Sequence, residues 1–362
     1  MGASIAHALT LAGITVTIVE TDAAGVSRAN SNLDALRRQT AARGVTLPPS
    51  PRTVAGYDAL PDADIAIEAA FEDLGVKQAI FAQLAASLPE STALATNTSY
   101  LDVNRIAEGI PHPDRLLGLH FFSPAHIMRL VEIIRADATS DDTLALAHGL
   151  AAQLGKIPVA AGICDGFIGN RILTRYRQST DILLLEGALP WQVDRAMQDF
   201  GMAMGPYAVQ DLSGLDIAYA NRQRLKLRDD PAHRYIPVAD RLVEGLQRLG
   251  RKTGAGWYDY PDGKPVPSPV VTGIIEAASA EAGLMRRVFS ATEIQDRALT
   301  AMVDEACRIL DEGIAARPSD IDLVMVHGYA FPRWRGGLMH YADGVGLNVL
   351  LDRVRRWGDD EP

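Results

Sequence analysis

The first 160 residues alternate short, unbroken apolar runs with longer amphipathic stretches. "SIAHALTL" (4–11) reads as a small-residue helix closed by Gly13, and "ITVTIVE" (14–20) as a buried strand ending on Glu20. "SRANSNLDALRRQTAARG" keeps helical spacing up to Gly44, "ADIAIEAA" is a strand, and "VKQAIFAQLAASLP" is a helix stopped by Pro89. "TALATNTS", "RLLGLHFFSP" and "MRLVEIIRA" read as three further strands. Strands alternating with helices predict βαβ units around a doubly wound, mostly parallel sheet. Ligands of such sheets bind beyond the carboxyl ends of the strands, which singles out Glu20, Ala70–Phe71, Asn97–Ser99 and His120–Ser123.

From about Asp165 the pattern turns helical and no strand run stands out. "LLLEGALPWQVDRAM" (183–197) echoes "RILDEGIAARPSDIDLVM" (308–325), each an apolar helix end, Glu-Gly, a turn and a second helix. "GMAMGPYAVQDLSGLD" and "GYAFPRWRGGLMHYADGVGL" follow in matching positions, so a duplicated helical unit is expected, the copies packing on one another. "DGKPVPSPVVTG" (262–273) is the clearest linker. The expected domains are 1–163, 164–261 and 286–362, with 262–285 as linker.

Composition narrows the class without naming a chemistry. With 362 residues, 48% hydrophobic and 22% charged, the chain is a multi-domain globular protein. A formal charge of −10 argues against nucleic acid as a partner. No apolar run approaches the roughly 20 residues of a membrane helix. Cys164 and Cys307 stand apart without a histidine cluster, so each reads as a buried structural thiol and no metal site is expected. An arginine-rich, bacterial-like composition goes with a cytoplasmic location.

Five polar positions carry candidate chemistry. Glu20 ends the second strand of a βαβ unit whose helix opens at Gly2, where a carboxylate can bond both ribose hydroxyls of an adenosine and favours NAD over NADP. His120 ends an apolar strand and Glu132 lies twelve residues on, within reach across a hairpin. A histidine needs its second nitrogen held by an acceptor to act as a base, although the same pair serves equally to satisfy a core histidine. Ser99 and Asn170 follow a strand end and open a helix, where each is a cap or turn former unless it converges on His120.

"NTSYL", "GLHFFSPAHIMRLVEII", "DGFIGNRIL", "MGPYAVQDLSGLD" and "LGRKTGAGWYDY" together resemble the L-3-hydroxyacyl-CoA dehydrogenase family over nearly the whole chain. The doubled helical region looks most like the dehydrogenase part of the bifunctional enoyl-CoA hydratase/dehydrogenases of β-oxidation; nothing here resembles a hydratase. The resemblance implies a Rossmann-type α/β domain followed by duplicated all-α domains, NAD as cofactor and an acyl-CoA substrate. It also implies His120 as base oriented by Glu132, with Ser99 and Asn170 on the C3 oxygen. Asn170 would come from the helical part, so that the site is complete only when the domains close. Gly2, Glu20, Glu72, Lys77, Asn97, Ser123 and Lys252 would face the cofactor, Ser123 standing where the family commonly has asparagine. A homodimer, or association with a hydratase or thiolase, is also implied.

The family's first strand and the first two glycines of G-x-G-x-x-G are absent, and only Gly2 remains. That strand lies mid-sheet in the order 3-2-1-4-5-6, so its loss leaves unpaired backbone beside its neighbours. Two explanations present themselves: Met1 is an artificial or misassigned start within a longer protein, the preferred one, or the chain is an impaired member acting as a structural or binding module. A dehydrogenase of the 6-phosphogluconate type would need a central helix lysine. Lys77, Lys156, Lys226, Lys252 and Lys264 are the lysines present, and none occupies such a place.

Overall fold

The structure is a computed structural model that describes residues 1–58, 60–229 and 234–357. Its elements run α1 (Gly2–Leu11), β1 (Thr17–Glu20), α2 (Ala23–Ala41), β2 (Arg52–Ala55), β3 (Ile65–Glu68), α3 (Leu74–Ser87), β4 (Ala93–Thr96), α4 (Val103–Ala107), β5 (Leu116–Phe121), β6 (Leu130–Ile134), α5 (Asp141–Gln153) and β7 (Ile157–Ala161). Then follow α6 (Gly169–Glu186), α7 (Pro190–Phe200), α8 (Pro206–Ser213), α9 (Leu215–Leu225), α10 (Val238–Glu244), β8 (Tyr258–Asp259), β9 (Val266–Pro267), α11 (Pro269–Glu281), α12 (Ala291–Asp311), α13 (Pro318–Gly328), α14 (Leu338–Val345) and α15 (Leu347–Trp357). They form two packing units. One holds Met1–Arg171 and Ile309–Tyr329; the other holds Ile172–Arg308 and the residues from Ala330 on.

The first unit is the α/β part. Helices α2 and α3 begin where the sequence supplies caps: Asp22 accepts the Gly25 N–H at 2.6 Å and Asp73 the Val76 N–H at 2.9 Å. β4, β5 and β6 are buried along their whole length, as apolar runs covered on both faces must be. They lie in a five-stranded sheet of order β3-β4-β5-β6-β7, parallel except for the antiparallel β5–β6 pair. β1 and β2 form a separate parallel pair, leaving β1 and β3 each with one unpaired edge among the described residues. Helix α1 spans that interruption. Its Ile5 and Leu9 share one apolar cluster with Val16, just before β1, and with Ile65 and Ile67 of β3.

A buried ion pair fastens β3 to its neighbours. Lys77 of α3 is fully buried, and its ammonium donates to both Glu68 oxygens at 2.8 and 2.9 Å. Thr96 at the end of β4 donates to the same carboxylate at 2.8 Å, and the Ala70 N–H at 2.6 Å. Lys77 is thus a structural bracket, its ammonium turned onto Glu68. Nine residues separate it from Glu68 across a strand–loop–helix bend, and no periodicity announces the pair.

The second unit contains the first helical copy and part of the second. α6–α7–α8–α9 and α12–α13–α14–α15 follow the same order, and three of the four helix pairs have equal lengths of 11, 8 and 11 residues. Phe331 and Tyr341 of the second copy pack edge-on against Phe200 of α7, at 5.7 and 5.3 Å between ring centres. In the first copy, Asp211 accepts the N–H groups of Trp257 and Tyr258 and the Tyr260 hydroxyl, around a fully buried Trp257.

The units differ from the domains expected from sequence. The boundary falls after Arg171, which leaves Asn170 with the sheet. α13 also belongs to the first unit, where it packs on β6 and β7. The helical half contains a small hairpin, β8–β9. Half of the expected linker is helix α11, because Pro269 occupies the first helical turn, where a missing N–H costs nothing. Val271, Ile275 and Ala278 then bury one face in the core of the first copy. Cys307, read as a buried thiol, is exposed on α12, while Val303, Ala306 and Ile309 carry that helix's buried face. Among the described residues no helix is long and apolar enough to cross a membrane.

Replacing Ile275 with Ala removes a fully buried side chain and is expected to lower unfolding free energy by about 3 kcal/mol; urea denaturation measures it, and a change within about 0.5 kcal/mol would mean that α11 is an unpacked linker. Lys77→Met leaves Glu68 buried without its counter-charge and should cost about 4 kcal/mol. An unchanged urea midpoint for that variant would contradict the bracket role.

Candidate functional site

Strand register builds the centre of the site. In the β5–β6 ladder His120 stands directly opposite Glu132, and their side chains meet with Nδ1 2.7 Å from Oε2. Both are buried, the Glu132 side chain completely. The other Glu132 oxygen accepts the Gly169 N–H at 3.1 Å, at the start of α6. Phe122 and Phe167 press on the imidazole, with ring centres 4.6 and 5.7 Å away. A carboxylate held from both sides fixes the ring's orientation, keeps the proton on Nδ1 and leaves Nε2 as the acceptor. It also stabilises positive charge when Nε2 takes up a proton.

Nε2 faces a hydroxyl, for Ser99 Oγ lies 3.3 Å from it. Ser99 is held by Glu72, whose Oε1 accepts the Thr98 hydroxyl and the N–H groups of Ser99 and Tyr100 at 2.5, 2.9 and 3.0 Å. Lys77 stands 3.6 Å from the other Glu72 oxygen. Glu72 therefore anchors the Ser99 loop, its Oε1 taken up by the Thr98 hydroxyl and two backbone amides. Asn97 likewise spends its Oδ1 on the Phe121 N–H at 2.8 Å, tying the end of β4 to the end of β5. Sequence spacing marks these residues as belonging to the site, but strand ends alone cannot tell a ligand contact from a backbone tie.

Asn170, the second residue of α6, lies in the same unit, and its Oδ1 accepts the Tyr329 hydroxyl at 2.8 Å. The loop after β5 is exposed at Ser123 and fixed beyond it. There the Ala125 N–H donates to Ser4 Oγ of α1, and the Lys156 ammonium donates to the carbonyls of Ala125 and Met128. Burial pulls that ammonium down to about 8. Tyr329, Lys156 and Ser4 carried no signal in the sequence reading. Their partners are 159, 31 and 121 residues away, and only the fold brings them together.

The nucleotide end is set by β1 and α1. Glu20 closes β1, and Gly25 makes room for its carboxylate, since a Cβ there would stand 2.9 Å from Oε2. α1 opens at Gly2 without a side-chain cap, and its first helical bonds run from Ser4 and Ile5 to the Met1 carbonyl, so the Gly2 and Ala3 amides precede the helix's own acceptors. A carboxylate at a strand end and a helix N-terminus beside it fit the ribose hydroxyls and the pyrophosphate of a dinucleotide. Lys252 lies in the other unit, where it pairs with Asp216 at 2.6 Å. Among the described residues no group of three or more His, Cys, Asp or Glu is placed to hold a metal.

Comparison with known proteins agrees with this layout. The family model for the NAD-binding domain of 3-hydroxyacyl-CoA dehydrogenase matches residues 1–164, and the model for that family's C-terminal domain matches twice, at 166–260 and 294–361. The chain is 38% identical to the peroxisomal bifunctional enzyme of Cavia porcellus and 37% identical to that of Homo sapiens. Both alignments cover the whole chain but only 52% and 53% of the relatives, so it spans about half their length. Among solved structures, 3-hydroxybutyryl-CoA dehydrogenase of Escherichia coli superposes with a TM-score of 0.80 at 26% identity, covering 99% of this chain and 93% of that one. The dehydrogenase part of multifunctional enzyme 1 from C. elegans gives 0.66 at 28% identity, over 92% and 76%. With a parallel-sheet domain, two copies of the helical domain and these matches, the chain belongs to the 3-hydroxyacyl-CoA dehydrogenase family.

Proposed function

We propose that this chain oxidises the 3-hydroxyl of L-3-hydroxyacyl-CoA to the 3-ketone, with NAD as oxidant, as a step of fatty acid β-oxidation. The observation that carries the reading is the buried His120–Glu132 pair, closed on one side by the Gly169 amide and open at Nε2 beside Ser99. His120 Nε2 takes the hydroxyl proton, while Glu132 holds the imidazolium that results. Ser99 and Asn170 donate to the C3 oxygen as charge develops on it, each such donor being worth about 3 kcal/mol. Bound NAD would supply the hydride acceptor for C3. Glu20 would hold its ribose hydroxyls and the first turn of α1 its pyrophosphate. In the reverse direction His120 returns the proton to the alkoxide. Because Asn170 packs with the sheet, all four polar groups assigned to the reaction reside in one unit. An acyl-CoA made by a hydratase is the natural substrate on this reading, consistent with relatives named as bifunctional enzymes.

A second reading, a non-catalytic binding module, rests on the unpaired edges of β1 and β3 beside the nucleotide end. Acetoacetyl-CoA-dependent consumption of NADH separates the two. The wild-type chain should turn over, and His120→Ala should lose about a thousandfold in kcat while its NAD affinity, measured by titration calorimetry, stays within about threefold. Near-normal kcat in His120→Ala would remove the assignment; NAD binding without turnover in the wild type would favour the module.

A further inference from the structure

Building on the dehydrogenase reading, we propose that Tyr329 is a positioning residue for the reaction: its hydroxyl fixes the side-chain amide of Asn170 with the NH2 group turned towards the reacting C3 oxygen. The phenol donates to Asn170 Oδ1 at 2.8 Å. An amide has its acceptor and its two donors at opposite ends, so a donor seated on Oδ1 selects the rotamer that presents N–H groups elsewhere. Loss of that donor weakens the preference for this orientation, so that more of the population offers a lone pair where negative charge develops.

The ring is placed for this by close packing. Its edge lies against Phe122, with centroids 5.6 Å apart and planes at 82°, and Phe122 in turn packs at a tilt against His120. A Cβ at Gly169 would stand 2.3 Å from Tyr329 Cε2, so the phenol sits directly over a glycine that also donates to Glu132. A Cβ at Gly328 would come within 2.6 Å of Leu130, so the backbone carrying Tyr329 also approaches β6 closely. His120, Glu132, Gly169, Asn170, Tyr329 and Phe122 thus form one closed ring of contacts. Tyr329 is the one member supplied by the second helical copy. α13, which delivers it, packs on β6 and β7 within the same unit. The duplicated domain therefore has a task in the reaction chemistry as well as in packing.

The test is a double-mutant cycle. Tyr329→Phe removes only the hydroxyl and should lower kcat for acetoacetyl-CoA reduction about tenfold, with KM for NADH unchanged. In an Asn170→Ala background the same substitution should have no further effect. In uniformly deuterated protein with 15N-labelled asparagine, the Asn170 side-chain amide signals, identified by their absence from Asn170→Ala, should shift or broaden in Tyr329→Phe; this holds whether or not the variant turns over. Tyr329→Phe with kcat within twofold of wild type, a full tenfold loss persisting in the Asn170→Ala background, or unmoved amide signals would overturn the proposal. A wild-type chain without turnover, but with amide signals that move, would overturn the dehydrogenase reading and leave Tyr329 a structural clamp only.

Discussion

The structure depends on one register. β5 and β6 run antiparallel within an otherwise parallel sheet, and the pairing that buries their apolar faces also sets His120 opposite Glu132. A carboxylate in that position is tolerable only because both of its oxygens are engaged, one by imidazole and one by the Gly169 amide at the start of α6. A slip of one residue would put His120 and Glu132 on opposite faces of the sheet. Fold stability and site geometry are therefore bound together: the strands cannot pair otherwise without burying an unpaired charge.

Around that pair the polar side chains divide between holding backbone and lining the proposed site. Glu72 and Asn97 hold the Ser99 loop and the end of β5, Lys77 holds Glu68 beneath them, and Lys156 holds the loop that follows His120. Such a second layer keeps reacting groups within tenths of an ångström of a working geometry. It also explains why several residues at strand ends are turned away from solvent, although strand ends are where a ligand is expected.

Much of this was legible in the sequence. Unbroken apolar runs mark buried strands, and the twelve-residue step from His120 to Glu132 suffices for a strand end, a turn and a return strand. The repeated Glu-Gly turns mark the two helical copies. Other features resist sequence reading for physical reasons. α11 is hidden by prolines that look like breakers, yet one of them sits at the position where a helix tolerates it. The Lys77–Glu68 bracket and the Tyr329–Asn170 bond join residues with no periodic relation, so only the tertiary fold defines them. The boundary after Arg171 follows from α6 being anchored at its first turn to Glu132, which composition does not reveal.

The central claim is that the buried Glu132 carboxylate, and not the histidine alone, makes Nε2 of His120 a base. Glu132→Gln keeps the size and one acceptor while removing the charge, and kcat/KM for acetoacetyl-CoA reduction measures the consequence. The account predicts a fall of about a thousandfold with the folded state retained. A value within twofold of wild type would contradict it.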